Sequence, residues 1–311
     1  MKLTWEQIQA CTFGAQRLEW SEEAIRFVRF SPEQEAAFYA GDPVFLNSVN
    51  CTTGVRLDFH TDSASLTVET ACAGKYEILI DSLPRFQWIC EKSACKTFNL
   101  GDGSKRVTFV LPSHSEGRIR CIHIDPGATI TPHVHSRKFL FFGDSITQGW
   151  ESPWDCLSYA WHITNYFDAD SYILGVGGTY ALPDTVVPMN FNPELIFVAY
   201  GTNDLYRFSS EEAFVRSYSA YLRNLQTYFP DSKILCLTPI WRKDGNEAPI
   251  PIRSIRSLIE QEATKCHCVC IDGLSLVPHH PDYYSDGYLH PNGIGFSLYA
   301  SNLIQAIQSC L

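Results

Sequence analysis

The chain has 311 residues, more than one hydrophobic core usually takes, so two domains are expected. Lys and Arg total 24 against 34 Asp and Glu, a net charge of −10. That lack of a basic footprint argues against nucleic acid and against an anionic membrane surface as partners. The start, Met1-Lys2-Leu3-Thr4-Trp5-Glu6, lacks the apolar stretch and cleavage site of a signal peptide, and no apolar run reaches the ~20 residues of a membrane span. The expected location is therefore the cytoplasm. In that setting the twelve cysteines need not pair.

Residues 1 to about 130 read as β-rich. Val55–Phe59, Ser65–Glu69, Tyr76–Ile80, Arg106–Val110 and Arg118–Ile124 alternate or are β-branched, and short Gly, Asp and Ser loops such as Gly101-Asp102-Gly103-Ser104 separate them. Many short strands at this spacing predict a β-sandwich or jelly roll over 1–131. Asp125-Pro126-Gly127 to Thr131-Pro132 reads as a linker.

The rhythm then changes. A strand at Lys138–Phe142 precedes a helix around Cys156–Phe167, a strand at Tyr172–Leu174 and a buried-strand run at Leu195–Ala199. Ser209-Ser210-Glu211-Glu212 opens a helix, with serine as cap and acids in the first turn. Its stripe Phe214, Tyr218, Tyr221, Leu222 and Leu225 predicts core packing. A strand at Ile234–Leu237, a helix near Ile252–Ala263, a strand at Cys268–Ile271 and a last helix from about Ile294 to Ser309 complete the chain. Strands alternating with helices predict an α/β domain over 136–311, its parallel sheet covered on both faces.

The chemistry sits in four blocks. Gly143-Asp144-Ser145-Ile146-Thr147 follows the apolar run Phe139–Phe142, so a strand ends in a glycine turn that exposes the Ser145 hydroxyl at the carboxyl edge of a sheet. The turn is not a G-x-S-x-G elbow, because Thr147 replaces the second glycine. Gly177-Gly178 follows a strand, and a glycine lets a backbone N–H approach a substrate closely. Gly201-Thr202-Asn203-Asp204 follows the buried Leu195–Ala199 run, and the Asn203 amide can donate hydrogen bonds where a carboxylate could not. His290, in Leu289-His290-Pro291-Asn292-Gly293, is a loop residue just ahead of the last helix. Acyl transfer by serine needs a nucleophile, a base and donors to an oxyanion; Ser145, His290 and the set of Ser145 N–H, Gly178 and Asn203 fit those parts.

These blocks, in this order over residues 136–311, resemble the SGNH (GDSL-type) hydrolase family. The resemblance places the nucleophile on Ser145, the oxyanion donors on Ser145, Gly178 and Asn203, and the base on His290. It departs from the family at two positions. Ile173 stands where many members carry asparagine, and Gly287 stands three residues before the histidine, where the family has aspartate. Asp286 is one residue further away. Either the loop bulges and Asp286 still reaches the imidazole, or a backbone carbonyl orients the ring.

A β-domain ahead of such a domain resembles two-domain carbohydrate esterases that remove acetyl groups from sugars. The resemblance implies a serine esterase acting on short acyl esters, acetyl first, of a small-molecule or oligosaccharide substrate, with no cofactor and no metal. Trp150, Trp154 and Trp241 lie in loops at the active edge, where a Trp could stack on a sugar ring or pack at a domain seam. Two other readings remain open: a lipid or thioester acyl hydrolase, and a carbohydrate-binding protein with a lapsed hydrolase domain. Oligomeric state is not legible.

The remaining polar residues read as structural. Arg242 is expected to pair with an acid, and Asp144 and Asp204 to brace their loops. His133 and His135 alternate as a zinc pair would, yet no third ligand stands near them in sequence. Cys266-His267-Cys268-Val269-Cys270 predicts three thiols on one face of a core strand. His162 is expected to be structural, and His279-His280 an exposed loop.

Overall fold

The computed structural model describes residues 1–310. Three sheets organise them. Two are antiparallel and form the sandwich. One runs in the order Thr12–Phe13, Arg56–Thr61, Lys105–Val110, Gly74–Ile80, Leu83–Cys90, with Ile130–Pro132 added onto Arg56–Thr61; the other runs Arg17–Trp20, Ile25–Val28, Ile119–Ile124, Ser65–Thr70, Ala94–Asn99. Leu57, Phe59, Leu66, Val68, Ile78, Phe109 and Ile122 fill the space between them. The segment read as a linker is thus partly a strand: Ile130 and Pro132 pair with Thr61 and Phe59.

The sandwich strand Arg56–Thr61 is buried on both faces. Its period-two alternation sends Leu57 and Phe59 into the sandwich core and Arg56 and Asp58 the other way. Arg56 Nη2 donates to the Ala169 carbonyl at 2.8 Å. In Gly74–Ile80, Glu77 is likewise turned outward and accepts the Asp155 and Cys156 N–H groups at 2.8 and 2.9 Å. Arg56 and Glu77 thus find hydrogen-bond partners across the seam, while Asp58 pairs with Arg106 of its own sheet at 2.7 Å, as burial of charge requires.

The third sheet is parallel, in the order Ala169–Gly175, Arg137–Gly143, Leu195–Ala199, Lys233–Leu237, Val269–Ile271. Two doubly wound faces cover it. Phe139, Phe141, Phe197 and Leu235 pack with the Tyr159–Tyr166 and Gly293–Gln308 helices. Leu140, Phe142, Ile196, Val198 and Cys236 pack with the Glu211–Tyr228 and Ile252–Lys265 helices, and the Phe214–Leu225 stripe is buried there. Ser210 caps the first of these through the Ala213 N–H.

Sequence reading missed the helices of the amino-terminal part. Thr4 and Gln7 form a reciprocal capping box at the start of Trp5–Cys11. Ser31 and Gln34 do the same ahead of Pro32–Gly41, with Pro32 in the first turn. The turns Pro43–Phe45 and Leu46–Val49 follow. Phe38, Phe45 and Val49 do not pack into the sandwich. They join the core on the Leu140–Phe142 face of the parallel sheet.

The C-x-C-x-C run is not one strand. Cys266 caps the helix Ile252–Lys265, His267 turns with φ +55°, and the strand spans only Val269–Ile271. The three thiols still pack, partly buried, against one core.

Candidate active site

In a parallel sheet of this order, the chain winds in opposite directions from the strand Arg137–Gly143, and a crevice opens at the carboxyl ends beside it. The register aligns Gly143 with Gly175 on one side and with Ala199 on the other. The three strands therefore end level. Ser145 follows the first, Gly177-Gly178 the second and Asn203 the third.

The turn at Ser145 is set by packing. A Cβ on Gly143 would lie 2.1 Å from Thr147 Oγ1, and one on Gly175 would lie 2.3 Å from the Gln148 nitrogen, so the short helix Ser145–Gln148 needs glycine on both strands beneath it. Asp144 caps that helix, accepting the Ile146 N–H at 2.9 Å. Gly149 ends it with φ +86°. Ser145 Oγ then stands 2.9 Å from His290 Nε2.

His290 lies in a tight loop. Asp286 accepts the N–H groups of Tyr288, Leu289 and His290 at 3.0, 2.8 and 3.1 Å. Gly287 makes the bend at φ +73°, a backbone conformation that favours glycine. The loop bulges, and Asp286 Oδ2 comes within 2.7 Å of His290 Nδ1. Burial alone would raise the Asp286 pKa. The N–H groups of Leu289 and Tyr288 and the His290 ring outweigh it and hold the carboxyl below its usual range. With Nδ1–H donated to Asp286, Nε2 keeps the lone pair that faces the Ser145 hydroxyl.

Asn203 donates one amide hydrogen to the Thr179 carbonyl at 2.9 Å, which fixes the amide plane and leaves a second hydrogen to donate. Gly178 takes φ +79°. Beside it, the Gly177 N–H is held by Gln148 Oε1 at 2.8 Å, and Gln148 Nε2 donates to the Ser113 carbonyl at 2.8 Å. Asp204 accepts Gly201 and Ala181 N–H at 2.8 and 3.1 Å. Burial pushes the Asp144 carboxyl up to about 7 and that of Asp204 up to about 6. Both acids brace loops beneath the site.

Ser145, Gly177, Gly178, Asn203 and His290 line one cleft of about 370 Å³, together with Val44, Phe45, Asn47, Ser48, Trp150, Arg207 and Leu289. Of the three tryptophans, Trp150 lines the cleft and packs edge-on to His114. Trp154 and Trp241 do not line it. Both are half-buried against the Phe139–Phe141 side of the core, Trp241 with its ring 5.0 Å from that of Tyr284. Arg242 pairs bidentately with Asp244 at 2.7 and 2.9 Å. His279 and His280 are exposed, and His162 is half-buried in its helix.

The cleft residues that sequence reading missed come mostly from the turns Pro43–Phe45 and Leu46–Val49. Arg29 ties these to the sheet. Fully buried, it donates to the carbonyls of Cys51 and Ser48 at 2.7 and 2.6 Å and to those of Ile173 and Gly175 at 3.0 Å each. Burial pulls its pKa down to about 10. The Ser31-Pro32-Glu33-Gln34 capping signature was the signal available in the sequence.

The GDSL-like lipase/acylhydrolase family model matches residues 141–298, just over half of the chain. A search of curated proteins returns no match. Among solved structures, the chain is similar to the salicylyl-acyltransferase SsfX3 from a tetracycline biosynthetic pathway, at 19% identity and TM-score 0.81 over 96% of this chain and 94% of that one. It is similar to a putative GDSL-like lipase from Bacteroides ovatus, at 16% identity and TM-score 0.79 over 99% and 97%. A family two carbohydrate esterase from Cellvibrio japonicus aligns at 18% identity and TM-score 0.71 over 97% and 96%. These likenesses extend through the sandwich as well as the parallel sheet. The chain belongs to the GDSL-like lipase/acylhydrolase family and is a carboxylic ester hydrolase of the serine type.

Proposed function

We propose that the protein removes short acyl groups, acetyl first, from a carbohydrate ester through an acyl-enzyme on Ser145. The observation that carries this reading is the relay Asp286–His290–Ser145, with contacts of 2.7 and 2.9 Å, opening onto one cleft with Gly178 and Asn203.

His290 Nε2 takes the Ser145 proton as Oγ attacks the ester carbonyl. The negative charge that develops on the carbonyl oxygen meets the Ser145 and Gly178 N–H groups and the free Asn203 amide hydrogen. His290 then protonates the leaving sugar oxygen. Water enters, His290 removes its proton, and the acid and free Ser145 are released. Asp286 holds the imidazole in the required tautomer and stabilises the imidazolium. The carbohydrate reading is supported by the likeness to the Cellvibrio japonicus esterase along nearly the whole chain. It is supported also by Trp150, 40% exposed beside the nucleophile and free to stack on a sugar ring.

A second reading, an ester or acyl-transfer substrate with a larger apolar acyl group, is favoured by one observation: Val44, Phe45, Trp150 and Leu289 give the cleft an apolar wall. Acetate release from an acetylated oligosaccharide tests the first reading. Turnover that disappears in Ser145→Ala supports it. Turnover of long-chain or aromatic esters with none on acetylated sugar favours the second.

A further inference from the structure

We propose that His133, His135 and Asp168 form a binding site for a divalent cation of the zinc type, at the junction of the sandwich and the parallel sheet. His133 and His135 leave the strand Ile130–Pro132 just before the first parallel strand. Asp168 stands in the turn before the strand Ala169–Gly175, with φ +47°. The third ligand that the sequence around the two histidines lacks is thus supplied by the fold. One ligand atom from each residue lies within 4.8 Å of the others.

A second observation points the same way. The His135 side chain is 3% exposed, and its Nδ1 has no hydrogen-bond partner among the described residues, although it lies 3.4 Å from Asp168 Oδ1. A buried imidazole nitrogen left unpaired beside a carboxylate is costly to a protein and suited to a cation.

At His133 the surroundings match those of metal-binding imidazoles, which pass their second N–H to an acceptor. With a cation on His135 Nδ1, the ring proton sits on Nε2, 3.5 Å from Asp58 Oδ2. Arg56 Nη2, 3.3 Å from that nitrogen, then gives up its bond to the ring and keeps the one to the Ala169 carbonyl. With a cation on His133 Nε2, the proton on Nδ1 is donated to His60 Nε2 at 2.9 Å. Arg106 is the competitor. It is clamped on Asp58 at 2.8 and 2.7 Å, and only its Nη1, 2.9 Å from Asp168 Oδ1, contends with the cation. Two imidazoles, a carboxylate and water make a four-coordinate set that zinc accepts. Asp168, 35% exposed, gives the ion its route in.

The test is titration of the chelator-treated full-length protein with Co²⁺, followed by Zn²⁺. The expected result is one equivalent of Co²⁺ with visible d–d absorption and no near-ultraviolet thiolate band, displaced by Zn²⁺. His133→Gln and Asp168→Asn, checked for folding by circular dichroism, should each weaken binding at least 100-fold; His60→Ala should weaken it about 10-fold. Zn²⁺ should raise the thermal midpoint of the parent protein but not of Asp168→Asn. No bound Co²⁺, equal binding by folded His133→Gln and Asp168→Asn, or a thiolate charge-transfer band that assigns the ion to cysteine would each overturn the proposal.

Discussion

Asp286 and His290 are four residues apart in a loop, yet the carboxylate accepts both the His290 backbone N–H and, at 2.7 Å, its ring Nδ1. One side chain thereby shapes the loop and aims the imidazole. On this account Asp286→Asn lowers kcat by about 10³ to 10⁴ with little change in KM, because the amide favours the wrong tautomer. Steady-state kinetics on a soluble ester checks it. A loss under tenfold would mean that Ser145 and His290 act as a dyad.

Asn203 is anchored by Thr179 and has one amide hydrogen left to donate. Asn203→Ala should lower kcat by about 10² to 10³ and leave KM near its parent value, since the missing bond forms fully only with the oxyanion. A rise in KM at constant kcat would place Asn203 in substrate binding instead.

Arg29 offers a test of how the amino-terminal turns are held against the sheet. Its removal leaves the carbonyls of Cys51, Ser48, Ile173 and Gly175 without that donor. Arg29→Leu should therefore cost about 3 kcal/mol or more of stability, measured by urea unfolding. Esterase activity should fall as well, because Phe45 and Ser48 line the cleft.

Asp144 makes the protein's stability depend on pH in an unusual direction. Its carboxyl ionises near 4 in the unfolded chain but is held up to about 7 in the folded one. Between those values the folded state carries the extra proton. The contribution is fully present below about pH 4 and is lost as pH rises through about 7. Asp144→Asn keeps an oxygen for the Ile146 N–H. Comparing unfolding free energies of the two proteins from pH 4 to pH 8 should show the variant gaining steadily on the parent. A constant difference across that range would contradict the buried, protonated Asp144.

Much of the site was legible because each part carries its own local signal. Ser145, Gly178 and Asn203 each follow an apolar strand, and strands of a parallel sheet must end at one edge. His290 precedes a helix whose asparagine cap, Asn292, is written beside it. What was not legible depends on tertiary detail. The reach of Asp286 rests on the φ of Gly287. Pro32–Gly41 buries only Gln34 and Phe38, so it shows no apolar stripe of helical period. The cleft walls at Val44, Phe45, Asn47 and Ser48 went unseen with it. Trp154 and Trp241 stand in the expected loops, but loop position does not say which way an indole turns, and both turn to the core. Asp168 reaches His133 and His135 only through the packing of the sandwich against the sheet.

The most direct measurement is kcat/KM for p-nitrophenyl acetate, butyrate and octanoate with the parent protein and Ser145→Ala. The account predicts highest activity on acetate, falling with chain length and vanishing in the serine variant. Activity that survives in Ser145→Ala, or that peaks at eight carbons, would contradict it.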